Sequence, residues 1–411
     1  MGAVVRRGFT RIRWACRAEA ALAALAVGCT TPAAAPTDSA DQQSSEGGAA
    51  SKAGSPKGGN STGGKPDGSA AAPKYPTPPS TGNPQSPAIG DAGRVTTLNT
   101  KPDAGPTTPE PNTKTDSYAY DGTWPNLPGN FEMNDPAGVA VNNRGDLVVF
   151  HRSYSAWSDN YPLPKITKDC VATIDKDTGQ IIDSWGSNTF MLPHGLYIDD
   201  QSNVWVTDVA AQQVFKFTAT GMLLGAFGVE GVAGDDSSED KLNYPTDVTV
   251  TPNGFAYVSD GYNNHRVVKL TADLKFVKAF VAEGPAINNV HGISSDSDGN
   301  LYVADRENNK IHKFDKNERW LKSWNAPANL YAVEVNKGTG QLFATTWNGQ
   351  NSDILRLSLD LVPNLQFGSI SGTGGFSGGA TRYHDIAVDA DGHLYVGDIT
   401  SERVQRFLLT P

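Results

Sequence analysis

The chain has 411 residues, with 44 acidic against 34 basic side chains and a formal net charge of -10. An acidic balance without a basic stripe excludes nucleic acid as a partner. Of the three cysteines only Cys170 lies in the part patterned for a core, so no internal disulfide is available there.

In chain order, residues 1–29 come first. They carry Arg6, Arg7, Arg11, Arg13 and Arg17, then a small apolar run from Ala20 to Gly28. The segment Leu25-Ala26-Val27-Gly28-Cys29 looks like a bacterial lipoprotein signal, with Cys29 as the lipidated first residue of the mature chain. Glu19 interrupts the apolar run and Ala26 stands where Leu is usual, so a cleaved secretory signal is the runner-up and an unprocessed leader the third reading. The run is too short for a stable membrane span. Residues 30–117 are Ala, Pro, Gly, Ser, Thr and Lys with Tyr75 as the single aromatic. Such a segment cannot bury enough apolar surface to offset its chain entropy and reads as a disordered linker. Signal and linker together predict an exported protein, at the cell envelope as a lipoprotein or secreted. Its only membrane contact would be a lipid anchor at Cys29.

The remainder, residues 118–411, is an internal repeat. Its six openings are Pro136-Ala137-Gly138-Val139, Pro193-His194-Gly195-Leu196, Pro245-Thr246-Asp247-Val248, Val290-His291-Gly292-Ile293, Leu330-Tyr331-Ala332-Val333 and Tyr383-His384-Asp385-Ile386. After each opening comes a turn rich in Asp, Asn and Gly, then a strand such as Val204-Trp205-Val206-Thr207-Asp208 or Ala256-Tyr257-Val258-Ser259-Asp260. Third strands follow, as in Arg266-Val267-Val268-Lys269-Leu270, and outer strands are visible in Leu223-Leu224-Gly225-Ala226-Phe227 and Phe276-Val277-Lys278-Ala279-Phe280. Alternation of apolar and polar residues, rich in β-branched and aromatic types, marks these as strands. Four strands per unit at a period of about 40–55 residues predict an all-β fold, a six-bladed β-propeller of NHL-type repeats. The first and fifth copies are degenerate, with His151 and Thr346 where the others have Asp. The domain is expected to be a monomer.

The second position of the opening reads Ala, His, Thr, His, Tyr, His. In a closed propeller, His194, His291 and His384 would meet at one height around the axis, about 120° apart, with the axial position open, as catalytic zinc requires. A lone His at a strand start is more often a surface or hydrogen-bonded residue; three at alternate repeats favour a metal. His151, His265, His312 and His393 lack this register and are read as structural or surface residues. Arg152, Tyr262 and Arg306 follow the second strands of their copies and should ring the same mouth. Guanidinium groups there suit a substrate carboxylate. The phenol can act as a base if nearby cations pull its pKa down. Asp385 directly follows a metal position and is read as binding a second metal or orienting the site; Asp247 is read as structural. The Asp residues that end second strands (Asp208, Asp260, Asp305, Asp398) are read as bonding the backbone of the following turn.

These segments resemble the peptidyl-α-hydroxyglycine α-amidating lyase family, over nearly all of residues 125–408. The resemblance rests on Val148-Val149-Phe150-His151-Arg152, Leu192-Pro193-His194-Gly195-Leu196, Trp205-Val206-Thr207-Asp208-Val209-Ala210, Pro245-Thr246-Asp247-Val248, Val258-Ser259-Asp260-Gly261-Tyr262, Ala304-Asp305-Arg306-Glu307-Asn308 and His384-Asp385-Ile386. It implies a catalytic Zn2+ on His194, His291 and His384, and catalytic roles for Tyr262, Arg152 and Arg306. It also implies a structural Ca2+ on Asp385 and the carbonyls of Val139 and Leu196, a donor set of hard oxygens. The blade cysteines of the family's animal members are replaced, Asn263, Tyr302 and Lys313 being among the residues at those positions. A linker stands where a copper monooxygenase domain would precede the propeller, so the hydroxyglycine is expected from another protein or the environment. Arg382 stands where an apolar residue is expected and leaves substrate preference open.

The expected activity is cleavage of a peptidyl- or N-acyl-α-hydroxyglycine to the primary amide and glyoxylate. The substrate would be a small molecule or peptide ending in α-hydroxyglycine. The competing class is a non-catalytic NHL-propeller binding module tethered at the bacterial cell envelope. A metal-dependent hydrolase is a third reading, which its products would separate from a lyase.

Overall fold

The computed structural model describes residues 117–281, 286–368 and 380–410. The signal segment with Cys29, and the linker apart from Ser117, lie outside the described residues. The described residues form strands joined by turns and contain no helix, so none that is long and apolar enough to cross a membrane. The strands assemble into six four-stranded antiparallel sheets. The inner strands are Pro136–Val141, Pro193–Ile198, Pro245–Val250, Val290–Ser295, Asn329–Asn336 and Tyr383–Val388. Each packs against the next, and Tyr383–Val388 packs against Pro136–Val141, which closes the ring. The fold is a six-bladed β-propeller.

Each blade must bury both of its faces, because a neighbour stands on either side. In five blades every residue of the second strand is therefore buried, as in Val204–Asp208 and Leu301–Asp305. Six apolar clusters fill the six gaps between blades. The gap between blades one and two holds Phe150 and Phe190 edge to face at 4.7 Å, with Phe215 and Phe217 behind them. A fully buried side chain of this kind contributes roughly 1.5–3 kcal/mol. Outer strands meet solvent on one side, and Leu223, Leu224 and Val277 are exposed there.

The last blade is closed by the first described strand. Ser117–Tyr120 pairs antiparallel with Arg403–Thr410, from Ser117 opposite Thr410 to Tyr120 opposite Phe407. The Arg406 guanidinium binds Asp121 just beyond that strand and lies over the Trp124 ring. Segments far apart in sequence thus share one sheet, and Ser117–Tyr120 supplies the outer strand that completes the sixth blade.

One local irregularity positions the site. Every inner strand carries a β-bulge at its second motif position: the pairing with the second strand skips Ala137, His194, Thr246, His291, Tyr331 and His384. A bulge leaves its extra residue unpaired and turns its side chain away from the pleat, here toward the channel axis. The third position then has to be small where blades crowd. A Cβ on Gly195 would lie 2.5 Å from the Thr246 carbonyl oxygen and 2.6 Å from Asp247 Cα.

Candidate metal centre

The bulges bring His194, His291 and His384 together, all buried, with ligand nitrogens within 4.8 Å of one another. Their rings stand edge to face, with centroids 4.5–5.0 Å apart. Each Nδ1 is occupied by a backbone carbonyl of the next blade. His194 donates to Thr246 O at 2.6 Å, His291 to Tyr331 O at 2.7 Å and His384 to Ala137 O at 2.7 Å. Thr246, Tyr331 and Ala137 hold the second motif position in the three blades that lack histidine. The six equivalent positions therefore alternate between a ligand and the group that orients it. An Nδ1–H held by a carbonyl fixes the tautomer and leaves the Nε2 lone pair toward the axis. Burial, reinforced by the neighbouring imidazoles and guanidinium groups, holds all three well below the ordinary imidazole pKa, His384 at about 3. Neutral imidazoles with unprotonated Nε2 atoms are the form that binds a metal, so these three residues can hold a divalent cation.

Tyr262, Arg306 and Arg152 gather on one side of this triad. The Tyr262 hydroxyl is 3.0 Å from His194 Nε2 and 3.2 Å from His291 Nε2. Arg306 Nη1 reaches the same hydroxyl at 3.5 Å, and its guanidinium lies over the Tyr262 and Tyr331 rings. Arg152 is buried, donates through Nε to Pro193 O at 3.1 Å and pairs with Asp135, but its Nη2 has no partner. A buried donor left without an acceptor is costly and marks a place for a ligand oxygen. In the protein's own field burial pushes the Tyr262 phenol up; Arg306 and Arg152 oppose this without reversing it. The lowered phenol expected from the sequence is thus not produced by the protein's groups.

The channel beyond the histidine ring is lined by Val139, Leu196 and Asp385, together with Asp247 and Glu334. Asp385 accepts the N–H groups of Ile386 and, from the next blade, Val139. Asp247 does the same with Val248 and Ile293. The two aspartates are equivalent clips between neighbouring blades, three positions apart around the ring. Burial drives Asp385 up to about 8 and Glu334 to about 7, and raises Asp247. The Asp385 carboxylate, buried in a channel that Val139 and Leu196 also line, offers the hard oxygen that suits a divalent ion.

The remaining histidines stay out of the channel. His312 is locked between Asp305 and Ser323, His393 accepts the Leu409 N–H, His265 meets Asp236 at the surface, and His151 accepts the Ser153 N–H. The second-strand aspartates reach both ways: Asp208 binds Ala211 N in the following turn and Met191 and Leu192 N ahead of its own inner strand. Cys170 is buried and its thiol pushed up by burial, which makes it inert. Two parts of the mouth carried no sequence signal. The carbonyls that orient the histidines are backbone atoms. Trp157, from the loop after the first blade's second strand, packs 5.4 Å from the Tyr262 ring and under Arg152.

The NHL repeat family model matches residues 242–270 and 288–314. The chain is 30% identical over 305 residues to a probable peptidyl-alpha-hydroxyglycine alpha-amidating lyase of Caenorhabditis elegans, covering 66% of this chain and 82% of the relative. It is 33% identical over 343 residues to a peptidylglycine alpha-amidating monooxygenase of Rattus norvegicus, covering 75% of this chain but only 34% of that longer protein. Among solved structures, the virginiamycin B lyase of Staphylococcus aureus is similar with a TM-score of 0.48 and 16% identity, over 68% of this chain and 96% of that one. On the nematode match, the chain belongs to the peptidyl-α-hydroxyglycine α-amidating lyase family of NHL-repeat propellers.

Proposed function

We propose that this protein is a zinc-dependent lyase that converts a peptidyl- or N-acyl-α-hydroxyglycine to the primary amide and glyoxylate. The observation that carries this reading is the Tyr262 hydroxyl, 3.0 and 3.2 Å from two of three convergent histidine nitrogens and flanked by Arg306 and Arg152. His194, His291 and His384 would hold the Zn2+, whose charge polarises a substrate oxygen and lowers the pKa of groups beside it. Asp385, with the carbonyls of Val139 and Leu196, would hold a structural Ca2+ in the channel.

The protein's own groups do the rest. Arg152 turns its unpartnered Nη2 to the substrate carboxylate and Arg306 takes the other oxygen, a two-point grip that fixes the carbinol carbon beside Tyr262. Tyr262 gives its own proton to the amide nitrogen as it takes the proton of the carbinol hydroxyl, and so ends the step as it began. As the carbon–nitrogen bond breaks, its electron pair goes to nitrogen, and the former hydroxyl oxygen becomes the aldehyde oxygen of glyoxylate. The proton count is unchanged, so no outside acid, base or oxidant is required. Trp157 packs against the Tyr262 ring and Arg306 lies over both the Tyr262 and Tyr331 rings, which holds the phenol in place. In this reading the protein acts as a monomer and is exported, either held at the cell envelope through Cys29 or secreted.

The test is glyoxylate release from N-benzoyl-α-hydroxyglycine by the full chain, before and after chelation and on return of Zn2+. Release that stops and is restored establishes the lyase. A folded, metal-loaded protein that releases none points instead to a binding propeller.

A further inference from the structure

Trp347 ends the second strand of the fifth blade, Gln341–Trp347. Its indole meets the Tyr331 ring edge-on at 6.1 Å, and Tyr331 lies 5.0 Å from the His291 ring and 5.7 Å from the His384 ring. An aromatic wall therefore leads outward from the metal centre between the fifth and sixth blades. Arg382 caps it, with its guanidinium carbon 4.1 Å from the Trp347 ring centroid. The Arg382 backbone is tied down, its N–H donating to Asp398 and its carbonyl accepting from Ile399.

The guanidinium itself is a different matter. Arg152 and Arg306 have carboxylate partners in Asp135 and Glu307. Among the described residues Arg382 has none, and its Nε is buried without any hydrogen-bond partner. The guanidinium lies against the Trp347 ring, and its N–H donors can give paired hydrogen bonds to the two oxygens of a carboxylate. The substrate's own carboxylate is one bond from the carbinol carbon, so it must lie with Tyr262, where Arg306 reaches the phenol and Arg152 lies over the adjoining Trp157 ring. Arg382 stands on the His384 side of the mouth, directly before the inner strand Tyr383–Val388 that carries that histidine. The part of the substrate free to reach it is the acyl or peptidyl part beyond the amide.

Given the lyase reading, we infer that Trp347 and Arg382 form an acyl-side subsite that selects substrates carrying a carboxylate next to the hydroxyglycine. A side chain or acyl tail would lie along the Trp347 face and end its carboxylate on the Arg382 fork.

Three synthetic peptidyl-α-hydroxyglycines test this, differing only in Glu, Gln or Lys before the hydroxyglycine. The readout is kcat/KM for glyoxylate release by the zinc-loaded full chain. The wild type should favour Glu over Gln by about 10-fold, the worth of one charge-assisted hydrogen-bond pair, and over Lys by more. In Arg382→Gln the Glu-to-Gln ratio should fall toward one, with the loss on the Glu substrate appearing in KM. Arg382→Lys should keep part of the preference, since it retains the charge without the fork. Salt gives a second measurement that needs no variant: a preference built on a rim charge should shrink as ionic strength rises. Equal cleavage of the three substrates by the wild type overturns the subsite and leaves the lyase standing. A preference that survives both Arg382→Gln and high salt also overturns it. Cleavage of none of the three sinks the lyase reading itself, and the subsite with it.

Discussion

His194 and Thr246 occupy the same position in neighbouring blades and are joined by one hydrogen bond, 2.6 Å from the imidazole Nδ1 to the Thr246 carbonyl oxygen. Thr207 supports the same carbonyl, donating to it at 2.8 Å while accepting the N–H of Gly195. The ligand, its orienting group and the bulge that aims it are therefore one mechanical unit. Gly195 sits where that unit has no room for a methyl group. Gly195→Ala should displace Thr246, tilt the His194 ring and weaken Zn2+ binding by about 10–100-fold, the usual effect of losing an orienting partner. Calorimetric titration of the metal-stripped variant measures this. An affinity equal to the wild type's would show that the carbonyl does not set the ligand.

Tyr262→Phe removes one oxygen and leaves the aromatic packing against Trp157 and the two histidines. Metal content should be retained while kcat falls by about 10²–10⁴-fold, the range of a general acid–base group. Turnover equal to wild type at full zinc occupancy would remove the phenol from the mechanism.

Much of this was legible in the sequence because the repeat itself announces the bulge. A Pro or apolar residue, the axial residue and then Gly, Asp or Ala recur six times, so equivalent positions could be read before any coordinates. What escaped was whatever depends on backbone atoms or on distant pairing. The carbonyls of Thr246, Tyr331 and Ala137 leave no trace in residue type. The closing strand Ser117–Tyr120 has only four residues, and its partner lies at the other end of the chain. Several outer strands escaped because solvent on one side relaxes the apolar pattern, as exposed Leu321 in Trp320–Asn325 shows.

His291→Ala should abolish zinc binding and activity and leave the propeller folded. The Tyr331 carbonyl and Tyr262 hydroxyl that it releases border the channel and can be solvated. Metal analysis and circular dichroism read the two claims separately. A fully active, zinc-free variant would sink the metal centre.

Asp247 and Asp385 give an internal control for calcium. Both accept two backbone N–H groups, one of them from the next blade, so either change to Ala should lower stability by about 1–3 kcal/mol through lost hydrogen bonds. Only Asp385 belongs to the proposed Ca2+ ligand set. A calcium-selective chelator should therefore lower the Tm of the wild type and leave Asp385→Ala unmoved. An unchanged wild-type Tm on chelation would count against a structural Ca2+.

Glu318 makes stability depend on acid far from the metal. Its carboxylate binds Lys269 at 2.7 Å, Lys278 at 2.8 Å and the Tyr257 hydroxyl at 2.6 Å, linking blades three and four. Burial alone would raise its pKa, but the hydrogen bonds from Lys269, Lys278 and Tyr257 together overcome this and hold it below the ordinary value. A carboxyl with a depressed folded pKa contributes stability that is complete above its unfolded pKa, near 4.5, and is lost as pH falls through the folded one. Thermal unfolding should thus show a Glu318-dependent fall in Tm below about pH 5. Glu318→Gln should be less stable than wild type at pH 7, by about 1–2 kcal/mol for weakened charged hydrogen bonds, and should lose less on acidification. Parallel melting curves for the two proteins from pH 7 to pH 3 would mean that this pair of lysines does not stabilise the fold through Glu318.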